Sequence, residues 1–181
     1  MGDYVINGIP SYVFTKNSMR NIDIDQSYIH DGFLFENNLQ FSLATTATKA
    51  ISFITPADKE IHYSPSNLNT SGDKVTIELF ENATVTPATG TTLVAYNHNR
   101  ISSNVSAVIL KNAPTVTVQG DKIAFSYLPG STGVGQSRSG GELGTGNEWI
   151  LKKGTTYIIL ITNGSTAANL ITIKQKWFEV I

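Results

Sequence analysis

The sequence contains no cysteine among its 181 residues, and it is short of charge. Without cysteine the chain can form no disulfide framework, thiolate metal site, iron–sulfur cluster or cysteine nucleophile. Charged residues make up 15% of the chain, and the balance of 13 basic to 14 acidic residues leaves no electrostatic footprint for nucleic acid or for an anionic membrane surface. We therefore expect neither nucleic acid nor a membrane as a partner.

Long apolar runs are missing as well. The longest, Tyr157–Ile161, has the length of a strand, whereas a membrane span needs about 20 residues. The first twenty residues lack the basic and then apolar pattern of a secretory signal peptide, so we expect none. A chain of this length can bury one core without metals or crosslinks, which predicts a single soluble domain.

Helical periodicity is weak, and we expect at most one short helical turn. Short runs rich in Val, Ile, Thr, Tyr and Phe recur about every eight to twelve residues between Gly, Pro, Asn, Asp and Ser. In runs such as Val75, Ile77 and Leu79 the apolar residues alternate, as on a strand with one buried face. The pattern predicts an all-β fold, an antiparallel β-sandwich of jelly-roll or Greek-key type. The predicted strands are Tyr28–Glu36, Leu39–Leu43, Ala50–Thr55, Ile61–Tyr63, Lys74–Phe80, Thr92–Ala95, Ser106–Lys111, Thr115–Val118, Lys122–Leu128, Glu148–Leu151, Tyr157–Thr162 and Leu170–Val180.

Two regions depart from this rhythm. Residues 1–26 carry apolar clusters at Tyr4–Ile6 and Tyr12–Phe14, too apolar for a solvated tail. We therefore divide the chain into an extended N-terminal arm, residues 1–26, and a β-sandwich domain, residues 27–181. The second region, Pro129–Gly146, has seven glycines in eighteen residues and predicts a long surface loop.

What replaces charge in this chain is uncharged polar side chains: 21 Thr, 16 Ser and 15 Asn. Threonine suits strands because its β-branched side chain fits a pleated surface while its hydroxyl keeps the outer face wet. Asparagine and serine suit turns. This composition is typical of a protein that binds through polar contacts rather than through charge.

Patterns for catalysis or metal binding are few. His30, His62 and His98 are isolated in the sequence and form no metal-ligand spacing. The glycine-rich stretch leads into Glu148–Leu151, a predicted strand, whereas a phosphate cradle needs a helix there. We therefore predict no enzyme, with no catalytic residue, no metal ligand and no cofactor. The alternative of a polysaccharide-degrading enzyme needs two carboxylates in one groove, and the candidates are Asp23, Asp25, Asp58 and Glu60.

Candidate contact residues lie in the arm and near Arg100. Arg100 follows the Asn97-His98-Asn99 turn, and its five donors suit a carboxylate or the carbonyl groups of a neighbouring chain; it could equally fix a loop inside its own domain. The arm either docks on another chain or adds an edge strand to its own sandwich. The arm residues proposed for contact are Tyr4, Ile6, Ile9, Tyr12 and Phe14.

A series of short motifs runs from about residue 28 to the end of the chain. Its pieces are His30–Phe33 (HDGF), Ile54–Pro56 (ITP), Ile61–Tyr63 (IHY), Glu78–Val85 (ELFENATV), Asn97–Arg100 (NHNR), Glu148–Lys152 (EWILK), Thr156–Tyr157 (TY), Thr162–Asn163 (TN) and Trp177–Glu179 (WFE). In order and spacing the series resembles virion structural proteins of tailed bacteriophages, of the capsid decoration or auxiliary head-protein kind. The first 27 residues are not covered by this resemblance.

The resemblance implies a non-enzymatic all-β protein that binds the outer surface of a capsid, as a decoration, auxiliary or head-fibre base protein, and stabilises the shell. It implies the major capsid protein as partner, a homotrimer as the oligomer, and a place on the virion after assembly in the host cytoplasm. The arm is then the expected docking element.

The alternative function is a carbohydrate-binding adhesin module of a phage fibre, with glycan contact through the loops. Aromatic side chains on a β scaffold favour it, although most such residues belong to the core. The residues concerned are Tyr63, Tyr96, Tyr127, Trp149 and Trp177.

Overall fold

The structure, a computed structural model, describes residues 5–6, 9–10, 24–64, 68–71, 74–128, 138–141 and 148–180. These residues form short and long antiparallel strands and one helix, which confirms the prediction of an all-β sandwich. The elements are β1 (Val5–Ile6), β2 (Ile9–Pro10), α1 (Ile24–Asp31), β3 (Leu34–Leu43), β4 (Thr48–Ile54), β5 (Glu60–Ser64), β6 (Leu68–Thr70), β7 (Val75–Glu81), β8 (Thr84–Val85), β9 (Thr91–Thr92), β10 (Tyr96–Asn97), β11 (Ile109–Asn112), β12 (Val116–Val118), β13 (Asp121–Leu128), β14 (Arg138–Gly141), β15 (Trp149–Leu151), β16 (Thr156–Asn163) and β17 (Asn169–Val180).

Two large sheets face each other. The first has the order β10-β3-β17-β5-β15, with β6 beside β17 and β14 beside β6; the second has the order β13-β7-β16-β4-β11-β9. Successive long strands alternate between the sheets, except that β7 and β13 are neighbours in the second. A two-stranded pair, β8 with β12, packs on the outer face of the second sheet, where Phe80, Val85 and Ile158 form a small separate cluster.

The core lies between the two sheets, because alternate residues of each strand point inward. Phe35 and Trp177 come from the first sheet, and Phe53 and Ile159 from the second; all four are almost completely buried. The Phe53 and Trp177 rings meet edge to face with centroids 5.3 Å apart. A one-residue slip of any of these strands would expose its buried face, so the alternation fixes the strand register.

The helix α1 corrects one prediction. The sequence predicted a strand over Tyr28–Glu36 and at most one helical turn, but the chain is helical to Asp31 and extended only from Leu34. The helix ends because Gly32 adopts φ of +75°, with the Gly32 and Phe33 amides bonded back to the carbonyls of Ile29 and Tyr28 (3.1 and 2.9 Å). Tyr28 stacks on Phe178, with centroids 4.3 Å apart, so tertiary packing stabilises a helix whose own periodicity is weak.

The two irregular regions are only partly described. Arg138–Gly141, inside the predicted loop Pro129–Gly146, forms β14 and pairs with Leu68–Thr70, so part of that loop is a strand. In the arm, β1 and β2 pair with each other as Val5↔Pro10 and Ile6↔Ile9. The division into an arm and a sandwich domain stays a prediction.

Candidate interaction surface

A long insertion, residues 82–120, separates two strands that pair directly with each other. β7 and β13 are antiparallel neighbours, with Glu81 opposite Asp121, so a tight turn after Glu81 would join them. The chain instead returns through Gly120, where φ is +83° and an added Cβ would lie 2.1 Å from the Glu81 carbonyl oxygen. Long connections of this kind are often functional.

The insertion covers the edges of both sheets on one side of the sandwich. β11 pairs with β4 and β9 with β11, which extends the second sheet, while β10 pairs with β3 and extends the first. Open edge strands would offer unpaired backbone groups to other chains. Residues 93–108 therefore pass from the second sheet to the first and back again.

Asparagine side chains hold the turn of this segment against the end of α1. The buried Asn97 donates from Nδ2 to the carbonyl oxygens of Gly32 (2.8 Å) and Asn104 (3.1 Å), and its Oδ1 accepts from the Asn99 amide (2.9 Å). Asn99 donates from its own Nδ2 to the His30 carbonyl oxygen (2.9 Å). An amide side chain suits this position because it both donates and accepts, and the last carbonyls of a helix lack partners within it.

A buried carboxylate anchors the other end of the segment. Glu179 on β17 is 1% exposed; its Oε1 accepts from the Ser106 hydroxyl (2.7 Å) and from the Ala107 amide (2.9 Å), and its Oε2 from Lys59 Nζ (2.9 Å). Trp177 Nε1 donates to the same Ser106 oxygen at 3.3 Å. The segment is thus fixed at its turn and at its return to β11.

The segment exposes apolar side chains, two of them between these anchors and two just before the first anchor. Ile101 is 97% exposed and Val105 83%, and Val94 and Tyr96 are each more than half exposed. Arg100 is exposed too, with its guanidinium 5.9 Å from the centre of the Tyr96 ring. We call these five residues the loop surface. Because the backbone is already held in place, a partner would bind it with little loss of chain entropy.

The carboxylates around His62 do not form a metal site. His62 Nε2 contacts Glu60 Oε1 at 2.8 Å, its Nδ1 contacts Glu148, and its ring stacks on Phe178 with centroids 4.6 Å apart. The two carboxylates bind opposite ring nitrogens, so they do not converge on one point. In the described part of the chain no group of three or more His, Cys, Asp or Glu side chains is arranged to hold a metal ion.

A second charged network crosses the outer face of the first sheet at Glu36. The Glu36 carboxylate contacts Lys174 Nζ (2.6 Å), His98 Nε2 (3.1 Å) and Asn38 Nδ2 (2.6 Å). Burial alone would raise the pKa of Glu36, but the hydrogen bonds from these three side chains and the charge of Lys174 lower it below its ordinary value. The network ties β17, β3 and the insertion together.

The predicted contact residues fall in different places. Arg100 lies on the loop surface, and its role in contact with another chain stays a prediction. Ile6 and Ile9 are register partners in the β1–β2 pair. Three further arm residues lie outside the described residues: Tyr4, Tyr12 and Phe14.

The aromatic residues named for a sugar platform do not form one surface. Tyr63 and Trp177 are buried in the core, Trp149 is partly buried, and Tyr96 lies on the loop surface. Tyr127 is exposed, and beside it the structure adds a residue that the sequence reasoning missed, Phe125. Period-two alternation in β13 places these two rings on one face, and this signal was available in the sequence.

The structure brings several motifs of the series together at one end of the sandwich. Asn97 of NHNR bonds to Gly32 of HDGF, and the Glu179 amide of WFE donates to the Phe33 carbonyl oxygen of HDGF at 3.1 Å. His62 of IHY contacts WFE through Phe178, as described above. The motifs therefore hold the helix and the insertion against β17, which is a structural role.

Comparisons with known proteins identify no family. No protein-family model and no curated protein matches the chain. Among solved structures, infectious bursal disease virus of the Gx strain, the same virus of the Gt strain and a mutant VP2 protein of that virus in derived T=1 particles are similar at 11–12% identity and TM-scores of 0.19–0.21. The alignments cover 96% of this chain but only 45–47% of theirs, and similarity at this level supports no functional argument. Among the described residues no helix is both long and apolar enough to cross a membrane.

Proposed function

We propose that the chain is a non-enzymatic structural protein of a phage virion, which binds the outer surface of the capsid through its loop surface and stabilises the shell. The observation that carries the proposal is the exposure of Ile101 and Val105 on a segment fixed by buried hydrogen bonds. These two are the most exposed large apolar side chains among the described residues, and exposed apolar surface marks interaction sites.

The scaffold supports this proposal. The first sheet contains the neighbouring strands β3, β17, β5 and β15, and the second contains the neighbouring strands β4, β16, β7 and β13. This strand order, with the chain alternating between sheets, is typical of a jelly roll, an architecture that viral capsid domains share with lectins and other proteins. The fold alone does not decide the function, and the motif series that resembles phage decoration proteins is the second support.

The loop surface suits attachment rather than catalysis. Its contacts would be apolar, from Ile101, Val105 and Val94, with Arg100 and Tyr96 forming a cationic and aromatic edge. Tyr and Arg are enriched where protein interfaces bury their most important contacts. We infer that the major capsid protein is the partner.

We also propose that the protein attaches as a homotrimer. One loop surface per chain is small. In a trimer, however, binding of the first loop surface holds the other two at a high effective concentration near their sites, and the overall affinity can exceed that of a single site by about 10² to 10⁴. Size-exclusion chromatography with light scattering tests this. A monomer both in solution and on the particle would contradict the trimer, while the attachment itself would still be open to direct test.

Cryo-electron microscopy of the particles that the parent phage produces is the direct test. Density for this chain on the outer capsid, with residues 94–105 at the contact, is the expected result. Density absent from both the capsid and its appendages would refute the proposal.

A co-sedimentation assay with shells lacking the protein tests the residues. Ile101→Asp places a charge at the most exposed residue of the loop surface and should weaken attachment by about tenfold or more, since a desolvated charge without a partner opposes binding. The matched control is Ile150→Asp, because Ile150 is 63% exposed on β15, at the opposite edge of the first sheet from β10. Equal attachment by both variants and the wild type would rule out the loop surface.

A further inference from the structure

A second exposed surface lies on the outer face of β13, at the edge of the second sheet opposite β9. Phe125 and Tyr127 are 57% and 49% exposed, and they project from the same face of the strand, one repeat apart. Two residues along a strand span about 6.8 Å, so the rings lie side by side. β13 is the edge of the second sheet opposite the edge that the insertion covers.

Each ring begins a row of side chains that crosses the sheet. Phe125 lies opposite Glu78, which lies opposite Leu160. Lys122 forms an ion pair with Glu78, and its Nζ is 6.0 Å from the centre of the Phe125 ring. The charged pair therefore stands directly beside the aromatic ring.

The second row is made of hydroxyl groups. Tyr127 lies opposite Thr76, Thr76 opposite Thr162, and Thr162 opposite Thr48. Three steps of about 4.8 Å carry this row some 14 Å from β13 to β4. At its far end the sheet face and the β12 segment enclose a groove of about 670 Å³, whose lining includes Leu160, Thr48 and Gln119.

We propose that this face binds an oligosaccharide, a function separate from attachment through the loop surface. A sugar ring has apolar C–H faces that stack on aromatic rings and a rim of hydroxyls that donate and accept hydrogen bonds. The face offers both in parallel rows: two rings, then carboxylate, ammonium and threonine groups. We call it the β13 face.

The same chemistry argues against a protein as the occupant. Protein interfaces are depleted of Lys and Glu at their centres, and here Glu78, paired with Lys122, stands between the Phe125 ring and the apolar Leu160. A sugar can use these charges as hydrogen-bond partners without removing them fully from water.

The test uses the full chain on a microarray of neutral and acidic oligosaccharides, followed by calorimetry with the most strongly retained one. Wild-type protein should bind, and Phe125→Ala and Tyr127→Ala should each weaken binding by about tenfold, as expected when a stacked aromatic ring is lost. The matched control is Tyr96→Ala, because Tyr96 is 51% exposed but lies on the loop surface. Ile101→Asp should bind the oligosaccharide as the wild type does, and Phe125→Ala should still attach to shells.

Two results would overturn the proposal. One is an array on which the wild type retains no oligosaccharide above background. The other is equal loss of binding in Tyr96→Ala and Tyr127→Ala, which would mean that the β13 face is not the site. Circular dichroism of each variant checks that the fold is intact. We expect it to be intact because exposed aromatic side chains contribute little to the core.

Discussion

Replacing Glu179 should remove the anchor that holds Ser106 and Ala107 of the insertion against β17. Glu179→Ala removes the acceptor of the Ser106 hydroxyl and the Ala107 amide and leaves the ammonium of Lys59 without its partner. Removing one member of a buried ion pair costs about 3 to 5 kcal/mol, because the remaining charge and donors stay desolvated. That is a large part of the roughly 5 to 15 kcal/mol by which a domain of this kind is stable.

Glu179→Gln separates the charge from the hydrogen bonds. The side chain keeps its shape and one carbonyl oxygen for Ser106 and Ala107, but it turns an amide NH2 group instead of an oxygen toward Lys59, whose side chain is about a quarter exposed and can reach water. We expect a loss of about 1 to 2 kcal/mol, nearer to the value of a single charged hydrogen bond. We therefore expect the free energy of unfolding to decrease from the wild type to Glu179→Gln and further to Glu179→Ala.

Urea unfolding monitored by tryptophan fluorescence measures the differences, and Trp177 reports locally because its Nε1 donates to Ser106. Lys122→Ala serves as the control, since its ion pair with Glu78 is half exposed on the lysine side and should contribute less than about 1 kcal/mol. Ordinary surface substitutions change stability by about 0.5 kcal/mol, so a Glu179→Ala variant within about 1 kcal/mol of the wild type would show that the carboxylate does not anchor the insertion.

Three further changes follow from particular contacts. Gly120→Ala should destabilise the domain by at least about 2 kcal/mol and lower its melting temperature, because φ is +83° and the new Cβ would meet the Glu81 carbonyl oxygen; an unchanged melting temperature would contradict this. Gln175→Met should stabilise it by about 1 kcal/mol in urea unfolding, because the buried amide makes no hydrogen bond within the described residues; a loss of stability would show that the amide has a partner. Glu36→Gln should reduce the dependence of the free energy of unfolding on pH between about pH 6 and pH 3. Because the pKa of Glu36 is lowered in the folded protein, its carboxylate stabilises the fold above its ordinary pKa, and this stabilisation is lost as the pH falls through the lowered value. The variant lacks this titrating group, and unfolding measured across that pH range checks the difference.

Much of the sandwich was predictable because a strand that is buried on one face has apolar residues at every second position of its sequence. Val75, Ile77 and Leu79 alternate in the sequence and are all buried in β7. The same rule places Phe125 and Tyr127 together on an outer face, although the sequence reasoning named only Tyr127. Alternation predicts which residues share a face, but not which face is covered by a further layer.

The helix and the loop surface were not predictable in this way. Tyr28–Asp31 has no helical stripe, and it is helical because Tyr28 packs on Phe178, which follows 150 residues later. Ile101 and Val105 stand in a polar, asparagine-rich run without period, so nothing local indicated that the run is ordered. Its order comes from Asn97 and Glu179, whose partners are far away along the chain.

The sequence by itself determined the fold class and the use of its uncharged polar residues, since strand alternation and turn chemistry are local properties. Threonine lines strands, as Thr76 and Thr162 do, and asparagine shapes turns, as Asn97 and Asn99 do. Only the tertiary structure decided that the insertion covers one edge of each sheet and exposes the loop surface. It also decided that the β13 face lies at the opposite edge of the second sheet. Those features depend on pairing between residues distant in sequence, which burial and hydrogen bonding select only when the whole chain is folded.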